Sequence, residues 1–259
     1  MIKLAISIVT RFVPRHHLHR VSHFFLSVIG LFYEGNTITD PIDGSTYRKL
    51  LPYGRLQSRK NALAPYSMSL ERHRLLWLYF KEKTNFFTSN IRFLHIAPEY
   101  CFIRKFKAMK NLDYVTADLI SPWADVKLDV QNIPFKENEF DVIMCNHVLE
   151  HVDDDRKAMS EFFRVMKPGG WGIFQVPINY DSEVTAEDKS VTDPRERERL
   201  YWQDDHLRLY GKDYGKILAS AGFDVVEDDF VKKMDPALAE KYALPLNEII
   251  YLCKKPAGN

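Results

Sequence analysis

The sequence predicts an α/β fold, a mostly parallel sheet with helices on both faces. Three observations predict it. From residue 91 onward strand-like and helix-like segments alternate. The segments "IRFLHIA" and "FDVIMCN" are apolar almost throughout, as strands covered on both faces are. A chain of 259 residues with 46% hydrophobic and 13% aromatic residues is long enough to bury one substantial core.

Residues 1–33 carry apolar side chains at helical spacing: Ile2, Ala5, Ile6 and Val9, then Leu18, Val21, Phe24, Phe25, Val28 and Leu31. Lys3, Arg11, Arg15 and Arg20 stand between them with no acid, which predicts two basic amphipathic helices broken near Pro14. Such a segment suits peripheral contact with an anionic membrane, or packing against the rest of the protein. Charges and Pro14 interrupt it well before the roughly 20 apolar residues that span a bilayer. Residues 34–68 are rich in turn formers ("TDPIDGSTYRKLLPYGRLQSRKNALAPYS"), so short strands and loops are expected.

The stretch "SLERHRLLWLYFKEKTNFF" resumes a helical pattern, with Ser69 as N-cap. Then come a strand at 91–97, a helix at about 99–110, and strands at 113–118, 124–129 and 140–146. A helix at 154–166, a strand at 171–176, an irregular insertion at 177–209, a helix at 210–221, a strand at 223–228 and a last strand in "EIIYLCK" complete the order. Gly169 and Gly170 read as a helix C-terminal turn. The plan is a basic helical segment (1–33), a loop-rich segment (34–68) and a main domain (69–259).

The net charge is +1, but residues 1–90 hold 13 Lys/Arg against 5 Asp/Glu and the remainder 23 against 30. That asymmetry fits a solvated basic face or one meeting an anionic surface. The basic residues are not interleaved with aromatics and no recognition motif appears, so a nucleic-acid partner is not expected. Three scattered cysteines, Cys101, Cys145 and Cys253, form neither a disulfide framework nor a metal knuckle, and a cytoplasmic protein is expected.

In open α/β sheets ligands bind beyond the carboxyl ends of the strands. The first such turn, "HIAPEY", holds no glycine, whereas a pyrophosphate cradle needs several. Asp118 ends the second strand, where a carboxylate can accept from both ribose hydroxyls. Asp129, beside Val130, ends the third and can accept from an exocyclic amine. Asn146 and His147 end the fourth. These positions describe an adenosine pocket without equipment for phosphate. In the insertion, "SVTDPRERERLYWQDDHLRLYG" gathers Asp204, Asp205, His206, Arg208 and Tyr210. A histidine beside carboxylates can serve as a general base; the alternative is a polar loop bonded to itself.

The run "VTADL…DVKLDVQNIPFKENEFDVIMCNHVLEHVDDDRKAMSEFFRVMKPGGWGIFQVP" resembles the class I S-adenosylmethionine-dependent methyltransferases, in the type 11-like group whose fourth strand reads F-D-x-x-x-x-x-x-x-L-E-H and whose next helix ends in L-(K/R)-P-G-G. The resemblance implies a Rossmann-like, seven-stranded sheet and S-adenosylmethionine as cofactor. It implies cofactor contacts from Ala97, Pro98, Glu99, Asp118, Leu119, Asp129, Val130, Asn146 and His147. Methyl transfer to an oxygen or nitrogen of a small molecule or glycan would then use His206, Asp205 and His147. Where the group has D/E-x-G-x-G, this chain has Ala97, Pro98 and Glu99. Pro98 presets φ to about −65°, and Glu99 at a helix start suits the macrodipole and the methionine ammonium group.

A wider stretch, "SLERHRLLWLYF…LHIAPE…DP.ERERL…Q.DH.RLYG", resembles a bacterial subgroup that carries a four-cysteine zinc ribbon before S-L-E-R-H-R. Here the four ligand positions are Asp40, Asp43, Ala64 and Ser67, so no metal is expected there. Tyr47, Leu50, Leu51 and Tyr66 should hold the ribbon shape around a polar network. The rival functional reading is a non-catalytic binding protein that keeps the fold and engages a partner or membrane through its basic N-terminal third.

Overall fold

The computed structural model describes residues 15–54 and 58–258, with side chains from His23 onward. The helix expected before Pro14 lies outside the described residues. The chain forms two compact units. The first comprises Met1–Ser89, Glu99–Met109 and Asp229–Glu248; the second comprises Asn90–Pro98, Lys110–Asp228 and Ile249–Asn259.

In the first unit, helix α1 (Arg15–Leu31) carries part of the expected apolar set on its surface. Phe24, Phe25 and Leu31 are 59–65% exposed and Phe32 is 70% exposed. Gly30 permits a close approach to Tyr66, since a Cβ there would lie 2.5 Å from the ring. Two small antiparallel pairs follow, β1 (Glu34–Thr39) with β2 (Thr46–Tyr47) and β3 (Leu51–Tyr53) with β4 (Arg59–Leu63). Each pair borders a turn of one design. Gly44 N–H donates to the Asp40 carbonyl and Met68 N–H to the Ala64 carbonyl, both at 2.9 Å, and Gly44 and Met68 have φ of 82° and 60°. At the expected ligand positions, the buried Asp40 carboxylate accepts from the hydroxyls of Ser67 and its neighbour Ser69. Ile38, Tyr47, Leu50 and Ala64 form the core beside it, with Tyr66 packed on and Leu51 outside the cluster.

Ser69 is therefore not the N-cap of α2 (Glu71–Lys83). Leu70 occupies that position, and the His73 ring accepts its N–H at 3.0 Å. Arg74, fully buried, donates to the carbonyls of Ala62, Ser69, Tyr242 and Ala243, which ties α2 to β4 and to the chain after a short helix at Pro236–Lys241. That helix, capped by Asp235, and a 3₁₀ turn at Phe230–Lys233 were not legible as a pattern. Helix α3 (Tyr100–Lys107) is shorter than expected and stacks Phe102 and Phe106 on Trp77 of α2.

The second unit is built on seven strands: β5 (Ile91–Ile96), β6 (Leu112–Asp118), β7 (Val126–Lys127), β8 (Phe140–Asn146), β9 (Met166–Gln175), β12 (Asp224–Asp228) and β13 (Ile250–Lys254). Two further short strands, β10 (Ala186–Glu187) and β11 (Arg208–Leu209), pair with each other in the insertion. The sheet order is β12-β13-β9-β8-β5-β6-β7, parallel except for β13. Helices α4 (Asp155–Val165) and α6 (Tyr214–Ala219) pack their apolar faces on it through Met159, Phe162, Leu218 and Tyr214, all fully buried.

Several boundaries differ from the expectation. The strand expected at 124–129 shrinks to two residues, and the insertion is not irregular, since it holds α5 (Pro194–Tyr201), capped by Asp193. Gly169 and Gly170 are not a helix C-terminal turn: α4 has ended at Val165, and "KPGG" forms a bulge at the start of β9. Gly169 has φ 75°, and a Cβ on Gly170 would stand 2.8 Å from the Asp141 carbonyl. Among the described residues no helix is long and apolar enough to cross a membrane.

Candidate functional site

Strand order decides where a ligand can sit. From β5 the chain runs outward through β6 to β7, then returns to the other side of β5 to lay down β8 and β9. A crevice opens at such a reversal, beyond the carboxyl ends of the two central strands. There β5 delivers Ala97 and β8 delivers His147, and both take left-handed backbone conformations, with φ of 49° and 55°. Each is fixed by a backbone bond to a neighbouring strand: Ala97 N–H donates to Ala117 and His147 N–H to Gln175, both at 2.8 Å. An alanine held there costs about 1–2 kcal/mol. Ala97 thus makes the sharp turn that a glycine would otherwise make.

The expected cofactor residues of this unit stand at its strand ends. Asp118 ends β6, and its Oδ1 accepts the N–H groups of Ile120 and Ser121 at 2.7 and 2.6 Å. Its Oδ2 accepts from no described residue. Leu119 beside it is 64% exposed. Asp129 is exposed and bonds the backbone and side chain of Gln131, while Val130 is buried. Glu161 of α4 accepts from Ile133 N–H at 2.7 Å, and Arg164 donates to the Ile133 and Phe135 carbonyls, so α4 holds this loop. Asn146 is buried at the end of β8, and Pro98 follows Ala97. Glu99 belongs to the first unit, where it heads α3 with its carboxylate 4.0 Å from His73 Nε2.

Downstream of β8 the structure brings together residues far apart in sequence. Arg208, 1% exposed, donates to the carbonyls of Leu149, Val152 and Asp153 and to the Glu187 carboxylate. Leu207 N–H donates to the Glu150 carbonyl at 2.8 Å. The turn after β8 is therefore clamped to the end of the insertion. His206 follows, but its expected orientation by Asp205 is replaced: His206 Nδ1 lies 2.8 Å from the Tyr201 carbonyl. The Asp205 carboxylate instead approaches His151, at 3.6 Å. His147 pairs with Glu150, its Nδ1 3.3 Å from Oε1. Burial raises a carboxyl pKa, yet the His147 imidazole at this distance holds Glu150 below the ordinary carboxylate value. Burial likewise holds His206 below the ordinary histidine value.

Sheet order and strand ends of this kind are those of the Rossmann-like fold that class I methyltransferases share. Residues 101–174 match the family described as "Methyltransferase domain". The arsenite methyltransferase of Aquipseudomonas alcaligenes is 31% identical over 116 residues, 44% of this chain and 32% of the relative. The sterol 24-C-methyltransferase of Schizosaccharomyces pombe is 29% identical over 127 residues, 46% of this chain and 31% of the relative. The chain thus spans about a third of these relatives' length. Among solved structures the [4+2]-cyclase SpnF shares the fold, with TM-score 0.51 and 15% identity over 71% of this chain and 82% of that one.

Proposed function

We propose that this chain is an S-adenosylmethionine-dependent methyltransferase acting on an oxygen or nitrogen of a small metabolite or glycan. The observation that carries the reading is the pair of left-handed strand ends, Ala97 and His147, on adjacent strands at the reversal of the sheet, next to a strand-end carboxylate with one oxygen to spare. S-adenosylmethionine, when bound, supplies a methyl group on a sulfonium. The residues present fit it: Asp118 Oδ2 can accept from ribose hydroxyls, Val130 and Leu119 offer apolar surface to the adenine, and Asp129 can take its amine. The Ala97–Pro98 turn, with no phosphate cradle, suits a methionine tail.

The protein's own contribution is to hold an acceptor in line, which by proximity alone supplies much of the rate. A hydroxyl or ammonium acceptor must also lose a proton. With Nδ1 of His147 facing the Glu150 carboxylate, its Nε2 is left without a partner among the described residues. His147 is the group proposed to take that proton, and His206, across the same turn, to orient the acceptor. Three buried free cysteines fit a cytoplasmic setting. The exposed apolar face of α1, on a basic segment, fits the membrane's inner surface.

The test offers methyl-labelled cofactor with hydroxylated and amino metabolites and glycans. Label should move to an acceptor, and His147→Ala or His206→Ala should lower turnover while affinity for S-adenosylhomocysteine stays nearly unchanged. Cofactor binding with no transfer to any acceptor supports the non-catalytic reading instead.

A further inference from the structure

The turn after β8 and the end of the insertion bring together Glu150, His151 and His206, two of which hold buried polar atoms with no hydrogen-bond partner among the described residues. Glu150 is 1% exposed, and neither carboxylate oxygen has a hydrogen-bond partner among the described residues. His206 is equally buried. Its Nδ1 faces the Tyr201 carbonyl, which can only accept, so that nitrogen carries the hydrogen and Nε2 is a bare lone pair without a partner among the described residues. His151, one-third exposed at its side chain, repeats the arrangement, with Nδ1 3.2 Å from the Asp205 carbonyl. One donor atom from each of Glu150, His151 and His206 lies within 4.8 Å of the others, and the two rings meet edge to face at 4.7 Å.

A buried carboxylate that has the His147 ring at 3.3 Å but makes no hydrogen bond among the described residues still costs free energy unless a cation compensates it more fully, and the bare His206 lone pair beside it adds to that cost. The tautomer-fixing carbonyl behind each imidazole is the outer support that metal-bound histidines characteristically have. Two imidazoles and one carboxylate suit a divalent transition-metal ion. Bonds of about 2.0–2.2 Å would hold such donors about 3–4 Å apart, so small side-chain rotations close the set. The backbone already holds it in register through Arg208 and the bond from Leu207 to Glu150. A carboxylate has lone pairs enough to meet both an ion and His147.

We propose that Glu150, His151 and His206 bind one divalent transition-metal ion, whose open positions take an oxygen donor of the methyl acceptor. The part about the acceptor rests on the methyltransferase reading; the binding of the ion does not.

Protein stripped with a chelator should take up about one equivalent of Zn²⁺ or Co²⁺, followed by calorimetry and, for Co²⁺, by its visible absorption. Glu150→Gln, His206→Ala and His151→Ala should each weaken uptake by at least about 10- to 100-fold. The surface position of His151 keeps the test valid if a buried variant fails to fold. Asp43→Asn, in the N-terminal ribbon-like segment, should leave uptake unchanged. Wild-type protein that takes up neither ion, or uptake unaltered in folded variants, would overturn the proposal. S-adenosylhomocysteine binding read on the same samples by thermal shift separates the two readings: metal without cofactor binding contradicts only the methyltransferase, cofactor without metal only the ion site.

Discussion

Ala97 concentrates the physical question of the site in one residue. It adopts φ 49° with no glycine's freedom, and the left-handed region costs an alanine about 1–2 kcal/mol. Glycine would relieve that strain while loosening the unfolded chain by about 0.5–1 kcal/mol. Ala97→Gly should therefore stabilise by up to about 1 kcal/mol, seen as a higher denaturant midpoint, with cofactor affinity kept. A destabilised variant would show that the methyl group packs more than it strains. Asp118→Ala should weaken S-adenosylmethionine binding by about 1–3 kcal/mol, the scale of one charge-assisted hydrogen bond, as calorimetry would read. Asp118, Asp129 and Asn146 were legible because a strand end is visible in sequence and the residue after it needs no tertiary knowledge. The pairings of His147 with Glu150 and of His206 with Tyr201 were not. "HVLEH" displays its spacing, but it lies on a turn, and His206 reaches it only through the clamp.

That clamp is an element-scale device. Arg208 belongs to β11 and holds three carbonyls of the turn after β8, so one buried guanidinium sets the position of Glu150 and His151. An ammonium cannot reproduce the planar fork of donors. Arg208→Lys should cost at least about 2 kcal/mol in thermal or denaturant unfolding, since buried carbonyls lose charged donors; a loss within about 0.5 kcal/mol would mean that the turn holds itself. In sequence Arg208 looked like one more polar residue of a loop. The parallel strands were plain because continuous apolar runs have few other uses, whereas β10, β11 and the helix at Pro236–Lys241 are short and polar-faced, with no period to read. The "KPGG" bulge deceived because Gly-Gly after a helix has two structural uses, and only pairing with β8 and β13 decides between them.

At the scale of the molecule, the chain forms two compact units, and its charge is uneven along the sequence, with a basic excess before residue 90 and an acidic excess after it. Phe24, Phe25, Leu31 and Phe32 add an exposed apolar face to the basic part. Its amphipathic period was legible, but whether it packed inward was not, because periodicity marks a face without saying what covers it. The protein should co-sediment with vesicles containing anionic lipid, less so at high salt, and Phe24→Asp with Phe32→Asp should abolish the association; binding indifferent to both changes would locate the contact elsewhere. Calorimetry reads the cofactor pocket directly. The folded protein should bind S-adenosylmethionine and S-adenosylhomocysteine and give no heat with NAD. Absence of heat at millimolar S-adenosylmethionine, with the protein shown to be folded, would mean that the strand ends form no pocket for it.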